Sequence, residues 1–294
     1  MHGSVALVSD STSVDPQLAK RLDVVVVPLQ VIIDGKAYDE GTSAADPDTV
    51  AAALQRKQPV STSRPAPEAF LRSYERAAKA GAEAIVSIHL SSEVSGTYES
   101  AQLASKAASV PVHVVDSRQL GMATGFAVEA AADALANGSD AGDAAAAASA
   151  RAEAMTTLFY VDTLEYLRRG GRVGAAAALL GSALAVKPLL KVEDGCIVPL
   201  EKVRTSTKAL HRLEELAVLA AGEQDVDAAV SHLADPERAE TLAERLRELL
   251  PKLHRLEVTQ VGAVIGAHVG PGMLAVVVSP RNVQQPAPEP HGRA

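Results

Sequence analysis

The chain has 294 residues, of which 47% are hydrophobic but only 3% aromatic, with no tryptophan, so its core must be built mainly from Ala, Val and Leu. That length suffices for two domains. A formal net charge of −8 without a dense basic run excludes a non-specific nucleic-acid binder, and a lone cysteine, Cys196, excludes an internal disulfide or a cysteine-based metal cluster.

Val5–Val8 reads as a first strand, ended by Ser9-Asp10-Ser11-Thr12-Ser13, and too short for the apolar core of a secretory signal. Asp15-Pro16 opens a short helix to about Leu22. Val24–Leu29 is a buried strand and Gln30–Tyr38 a hairpin about Asp34-Gly35. A helix over Pro47–Lys57 takes Asp46 as its cap. Pro59–Pro67 is a connection stiffened by three prolines, a rigid platform for the hydroxyls of Ser61, Thr62 and Ser63, and Glu68–Lys79 is helical.

Ala84–Ile88 is a short β-branched run and hence a strand, and Thr97–Ala108 is an Ala-rich helix. Ser91, Ser92, Ser95 and Gly96 lie between them. A strand running through Ser and Gly into a helix offers unpaired N–H groups to an anion. Ser95 is the expected N-cap, and Gly96 lets a ligand approach the backbone. Val112–Val115 is a strand ending in Asp116-Ser117, followed by helices over Gly121–Asn137 and Asp140–Arg151. This alternation predicts a Rossmann-like parallel sheet with helices on both faces. Ser/Asp/Thr turns after three of its strands point to a polar site at one sheet edge.

The second half begins with a strand over Thr157–Val161. Leu164–Gly174 carries the basic turn Arg168-Arg169-Gly170-Gly171-Arg172, and Ala175–Ala185 is a small-residue helix. Val186–Val192 and Ile197–Val203 form a hairpin about Asp194-Gly195. Thr205–Ala221 is a helix, Val226–Leu233 a strand, Pro236–Leu250 an amphipathic helix, and Leu253–Thr259 and Met273–Val278 close a mixed sheet with helices on one face. Gly262–Gly272 holds four glycines around His268 and reads as a glycine-rich loop whose imidazole is suited to an anion. The expected fold class is therefore two-domain α/β, with domains over 1–155 and 156–281 and a proline-rich disordered tail over 282–294. The longest weakly polar run, 174–186, falls short of a membrane span, and a cytoplasmic location without stable membrane insertion is expected.

Together these motifs resemble the DegV family. The matching pieces are Ser9-Asp10-Ser11-Thr12, Ser61-Thr62-Ser63-Arg64-Pro65, Ser91-Ser92 with Ser95-Gly96-Thr97-Tyr98, Val115-Asp116-Ser117-Arg118, Leu164–Arg172, Val186-Lys187-Pro188-Leu189-Leu190 and Gly266–Gly272. Arg64 departs from a position that is often Gln in that family. The resemblance implies one long-chain fatty acid bound between the domains, its carboxylate held by Thr62 and the Ser95-Gly96 turn, with His268 nearby and Arg172 close. It also implies presentation of that carboxylate to a separate ATP-dependent fatty acid kinase, with Arg204 on the kinase-facing surface, no catalysis by this chain and no cofactor.

Two other readings share the same residues. A serine hydrolase would use Ser95 as nucleophile, His268 as base and Asp10 or Asp116 as the orienting acid. Glu93-Val94-Ser95-Gly96-Thr97, however, lacks both glycines of the Gly-x-Ser-x-Gly elbow, and the chain has no phosphate loop for kinase activity of its own. A small-carboxylate binder differs from a fatty-acid carrier in cavity shape: a short polar pocket against a long dry tunnel.

Overall fold

Polar turns and caps punctuate the β-branched runs of the first half, and they set where each element begins. The structure is a computed structural model describing residues 4–179 and 187–283. Strand β1 (Val5–Asp10) leads to α1 (Pro16–Arg21), where the Asp15 carboxylate accepts from the N–H groups of Gln17 and Leu18. β2 (Val24–Val27) follows, then the hairpin of β3 (Gln30–Ile33) and β4 (Lys36–Asp39). Its two-residue turn has φ of 49° at Asp34 and 80° at Gly35, the left-handed pair such a turn demands. Asp46 caps α2 (Pro47–Gln55) through its bond from the Thr49 N–H.

The connection expected over Pro59–Pro67 is in part a strand. β5 (Val60–Ser63) pairs antiparallel with β3, placing Thr62 opposite Val31. Pro59 and Pro65 flank this strand, so no ladder N–H is lost. Next come α3 (Pro67–Lys79), β6 (Ala84–His89) and α4 (Thr97–Ser105). Gly96, not Ser95, is the cap residue of α4; the Ser95 hydroxyl instead lies 2.8 Å from Thr97 Oγ1. β7 (Val112–Asp116), α5 (Met122–Ala136) and α6 (Ala141–Glu153) complete this half. Its four-stranded sheet, ordered β2-β1-β6-β7, is wholly parallel, while β4-β3-β5 form a separate antiparallel sheet. Alternation along β6 sends Ile85 to the Phe70–Tyr74 face of α3 and Val86 and Ile88 to the Phe126–Ala127 face of α5.

The second half contains β8 (Thr156–Tyr160), α7 (Glu165–Arg169), β9 (Lys187–Glu193), β10 (Cys196–Val203), α8 (Ser206–Ala221), β11 (Val226–His232), α9 (Pro236–Leu249), β12 (Leu253–Gln260), α10 (Ala263–Val269) and β13 (Leu274–Pro280). Its six strands are ordered β10-β9-β8-β13-β11-β12, with β11 and β12 parallel and the remaining pairs antiparallel. Leu213 and Ala217 of α8 and Leu242 and Leu246 of α9 cover one face. The expected helix over Ala175–Ala185 is a 3-10 turn over Gly174–Leu179, and the rest lies outside the described residues, as do Val186 and the tail from 284.

The glycine-rich stretch at Gly262–Gly272 is not a loop but contains α10. Gly262 and Gly270 sit at its two ends, Gly270 with φ of 77°, where a left-handed residue stops a helix. Gly266 lies inside it, where a Cβ would come 3.1 Å from Leu233 Cδ1. Although α10 belongs to the second half in sequence, it packs on the small sheet of the first: Val264 and Ala267 share a core with Leu29, Val31, Val50 and Leu54. A second fastening lies at Phe126, whose ring centroid is 6.0 Å from the Arg151 guanidinium and 5.5 Å from that of Arg255. Arg151 pairs with Asp227 at 2.9 Å, and Arg255 donates to Glu129 at 3.1 Å.

Candidate functional site

Thr62, the adjacent Ser95 and Gly96, Arg172 and His268 come from four different segments and line one cavity of about 370 Å³. That volume lies in the usual small-molecule range of about 300–1,000 Å³. β5 supplies Thr62 and the last turn of α10 supplies His268, bringing Thr62 Oγ1 to 2.8 Å from His268 Nε2. Burial and the positive charge of Arg172 push the His268 pKa down to about 4, so the ring is neutral at neutral pH. Its Nδ1 is buried without a hydrogen-bond partner among the described residues, against Gly170, where a Cβ would overlap it. With the proton on Nε2, the ring donates to Thr62 and leaves the threonine hydroxyl free to donate to a ligand.

Arg172 follows α7 in a tight turn. Its Nε donates to Val94 O at 3.0 Å and its Nη1 to Gly170 O at 2.6 Å, which fixes the guanidinium beside the Ser95-Gly96 turn. No carboxylate pairs with it among the described residues. Arg64, exposed, reaches the same place: its Nη1 lies 3.5 Å from Gly96 O, and a Cβ on Gly96 would collide with its guanidinium. The cavity wall thus carries two guanidinium groups, several hydroxyls and no Asp or Glu, at the start of α4 where the helix field also favours negative charge.

The remainder of the wall is aliphatic, including Leu29, Leu90, Leu120, Leu167, Ile197 and Ile265, with no aromatic residue. Leu120, Ile197, Ile265 and Val269 are shared with a narrower inner cavity of about 50 Å³, whose walls include Phe159, Met273, Ala275 and Val277. The arrangement therefore joins a donor-rich anion end to an apolar interior. Arg204 is elsewhere, exposed in the bend between β10 and α8 and absent from the cavity wall.

The hydrolase constellation is not assembled. Ser95 bonds Thr97, and His268 bonds Thr62. Asp116 accepts from Ser92. Asp10 lies in the core, bonded by Thr12, the Leu90 N–H and His89 at 3.1 Å. Burial alone would raise the Asp10 carboxyl, but the His89, Thr12 and Leu90 bonds hold it below its ordinary value. His89 Nε2 is 2.7 Å from Ser87 Oγ, itself 2.8 Å from the Tyr74 hydroxyl. This Asp-His-Ser chain is fully buried, with its serine hydroxyl already engaged, so it holds β1, β6 and α3 together and offers no nucleophile. Among the described residues no three His, Cys, Asp or Glu side chains gather as a metal site.

The sequence reading did not single out Val94, whose carbonyl orients Arg172, or Glu40. Glu40 accepts from Ser11 Oγ at 2.5 Å and from the Val264 N–H at 2.8 Å, tying α10 to the first half, and burial raises its pKa. Asp39-Glu40-Gly41 reads locally as a charged surface turn, and nothing in it signals a partner 224 positions away.

A family model described as "Uncharacterised protein, DegV family" matches residues 4–281. A DegV domain-containing protein of Streptomyces coelicolor is 54% identical over 282 residues, covering 96% of this chain and 100% of the relative. Another, of Listeria innocua, is 38% identical over 283 residues, covering 95% and 99%. Among solved structures, that of a DegV family protein from Thermus thermophilus, described for its fatty acid binding, matches with a TM-score of 0.88 and 31% identity over 95% of this chain and 100% of the other. DegV of Bacillus subtilis, described as a fatty acid binding protein, matches with a TM-score of 0.87 and 33% identity over the same shares.

Proposed function

The chain belongs to the DegV family, and from that premise we propose that it binds one long-chain fatty acid in the cleft between its 1–155 and 156–281 domains. The observation that carries this reading is the adjacency of two cavities that share Leu120, Ile197, Ile265 and Val269: one bears Thr62, Ser95, Gly96, Arg172 and His268, and the other has largely apolar walls. A carboxylate gains most from charge-assisted bonds where water is scarce. Burial of the alkyl chain contributes roughly 0.8 kcal/mol per CH₂, offset by the entropy of immobilising the ligand. An apolar continuation of this kind disfavours a small polar acid as the natural occupant. The fatty acid binding described for the Thermus thermophilus and Bacillus subtilis proteins supports the same reading.

In this reading the chain is a cytoplasmic carrier without a cofactor or catalysis of its own. It presents the carboxylate to a separate ATP-dependent fatty acid kinase, and exposed Arg204, outside the cavity, belongs to the docking surface. Native mass spectrometry of the purified chain, followed by solvent extraction and identification of the released lipid, tests the central claim. One fatty acid per chain supports it. No bound lipid, together with no uptake when oleate or palmitate is offered, overturns it in favour of a small-carboxylate binder.

A further inference from the structure

The narrow inner cavity has a second neighbour. Gly121, Met122, Ser231 and Val261 line it and also a third cavity of about 500 Å³, whose walls include Asp15, Glu40 and Asp46. Three cavities therefore adjoin, each sharing wall residues with the next. At the second junction Gly121 carries no side chain, and its φ of 57° with ψ of −133° disfavours any replacement that has one.

The walls change character along the series. The first cavity carries Arg64 and Arg172 and no carboxylate. The inner one is apolar except for two hydroxyls: Thr157, which donates to Gln119 Oε1 at 2.9 Å, and Ser231, whose Oγ is 2.9 Å from Thr259 Oγ1. The third carries Asp15, Glu40 and Asp46 and neither Lys nor Arg. Burial, and then the charge of Asp10, raise the pKa of Glu40, whereas the bonds from Thr49 hold the Asp46 carboxyl below its ordinary value, so the penalty on negative charge falls at the buried Glu40 side of this cavity.

A hydroxyl driven into a sealed apolar end would lose its bonds to water, at a cost of about 1–3 kcal/mol. Here the far end offers hydroxyl and carboxylate acceptors instead. A carboxylate at that end would face like charges and no cation. We infer that the cleft is a channel with two unlike ends, taking a long-chain monocarboxylic acid with its carboxylate at Thr62 and His268 and accepting a neutral hydroxyl at the distal end of the chain, while rejecting α,ω-dicarboxylic acids. This rests on the fatty-acid reading above and specifies its substrate class.

The test titrates the delipidated full chain near neutral pH with palmitic acid, ω-hydroxypalmitic acid and hexadecanedioic acid, and with the corresponding myristic and stearic sets. For at least one chain length the hydroxy acid is expected to bind within about threefold of its parent, the cost of a well-accepted hydroxyl being small. The diacid is expected to bind at least about tenfold more weakly, because its second charge must be neutralised or repelled. Hydroxy acids weaker than their parents by more than threefold at every length would show a sealed end and overturn the inference. A diacid closer than tenfold to its parent would overturn it as well. Failure of all the parent acids to bind is a separate result, which overturns the carrier reading and this inference with it.

Discussion

The Cα of Gly170 rests against the imidazole of His268, leaving no room for a methyl group between them. Gly170 itself has φ of −75° and ψ of −8°, a conformation alanine adopts freely. Gly170→Ala therefore adds no backbone strain, and its whole effect is the displacement of His268. Overpacking of this kind costs roughly 1–3 kcal/mol. A lower melting temperature together with weaker palmitate binding is expected from thermal unfolding and titration of the variant. An unchanged or raised melting temperature would show that His268 moves aside without cost.

Thr62→Val keeps the β-branched shape that suits β5 and removes the hydroxyl that pairs with His268. A hydrogen bond to a charged group is worth about 1.5–3 kcal/mol, so palmitate affinity is expected to fall by roughly tenfold or more. Titration against the wild type measures it. Equal affinities would remove Thr62 from the carboxylate site.

His268 also sets a pH dependence. Its folded pKa of about 4 lies below the ordinary 6.5, so as pH falls the unfolded chain takes up the proton first. Its contribution to stability is intact above about pH 6.5 and is lost progressively toward pH 4. The full shift corresponds to roughly 3 kcal/mol as an upper figure. Urea midpoints at pH about 7.5 and about 5 are expected to differ more for the wild type than for His268→Gln. Identical differences for the two proteins would mean that His268 titrates normally in the folded chain.

Ile265 stands where the first and inner cavities meet, with its Cδ1 3.4 Å from where a Cβ on Gly121 would be. Ile265→Phe narrows that junction. Lipid extracted from the variant, expressed in the same host as the wild type, is expected to shift toward shorter chains, and palmitate to bind at least about tenfold more weakly. An unchanged lipid profile would place the acyl chain on another path.

Arg204→Ala is expected to leave lipid occupancy unchanged, since the residue is exposed and outside the cavity, and, under the proposed carrier role, to slow phosphorylation of the acid by a fatty acid kinase. Loss of an exposed interfacial charge acts mainly on the association rate, by about tenfold at low salt. Turnover at the wild-type rate would take Arg204 out of the docking surface.

The elements with a purely local cause were legible in the sequence. The Asp34-Gly35 and Asp194-Gly195 turns require left-handed backbone, and both are two-residue hairpin turns in the structure. Hydroxyls and glycines at strand ends serve equally as caps and turns, so Thr62, Ser95, Gly96, Arg172 and His268 are named as a set only through the family resemblance. What failed has a tertiary cause. β5 is a strand because β3 offers it an edge, not because Val60–Ser63 prefers one. α10 is a helix despite its glycines because it is buried on Leu29, Val31 and Leu54. Ser95 gave up its expected cap for Thr97, a choice that local preference could not decide.

The placement of α10 has a consequence for how the molecule comes apart. The segment Ala263–Val269 is synthesised late, yet it completes the core over β3 and α2 and satisfies Glu40. Phe126 in turn rests against arginines from both halves. Neither half possesses a finished interior, so denaturation is expected to be a single cooperative event, with one calorimetric peak. During translation the first half must wait, with Leu29, Val31 and Leu54 uncovered, until nearly the whole chain has left the ribosome.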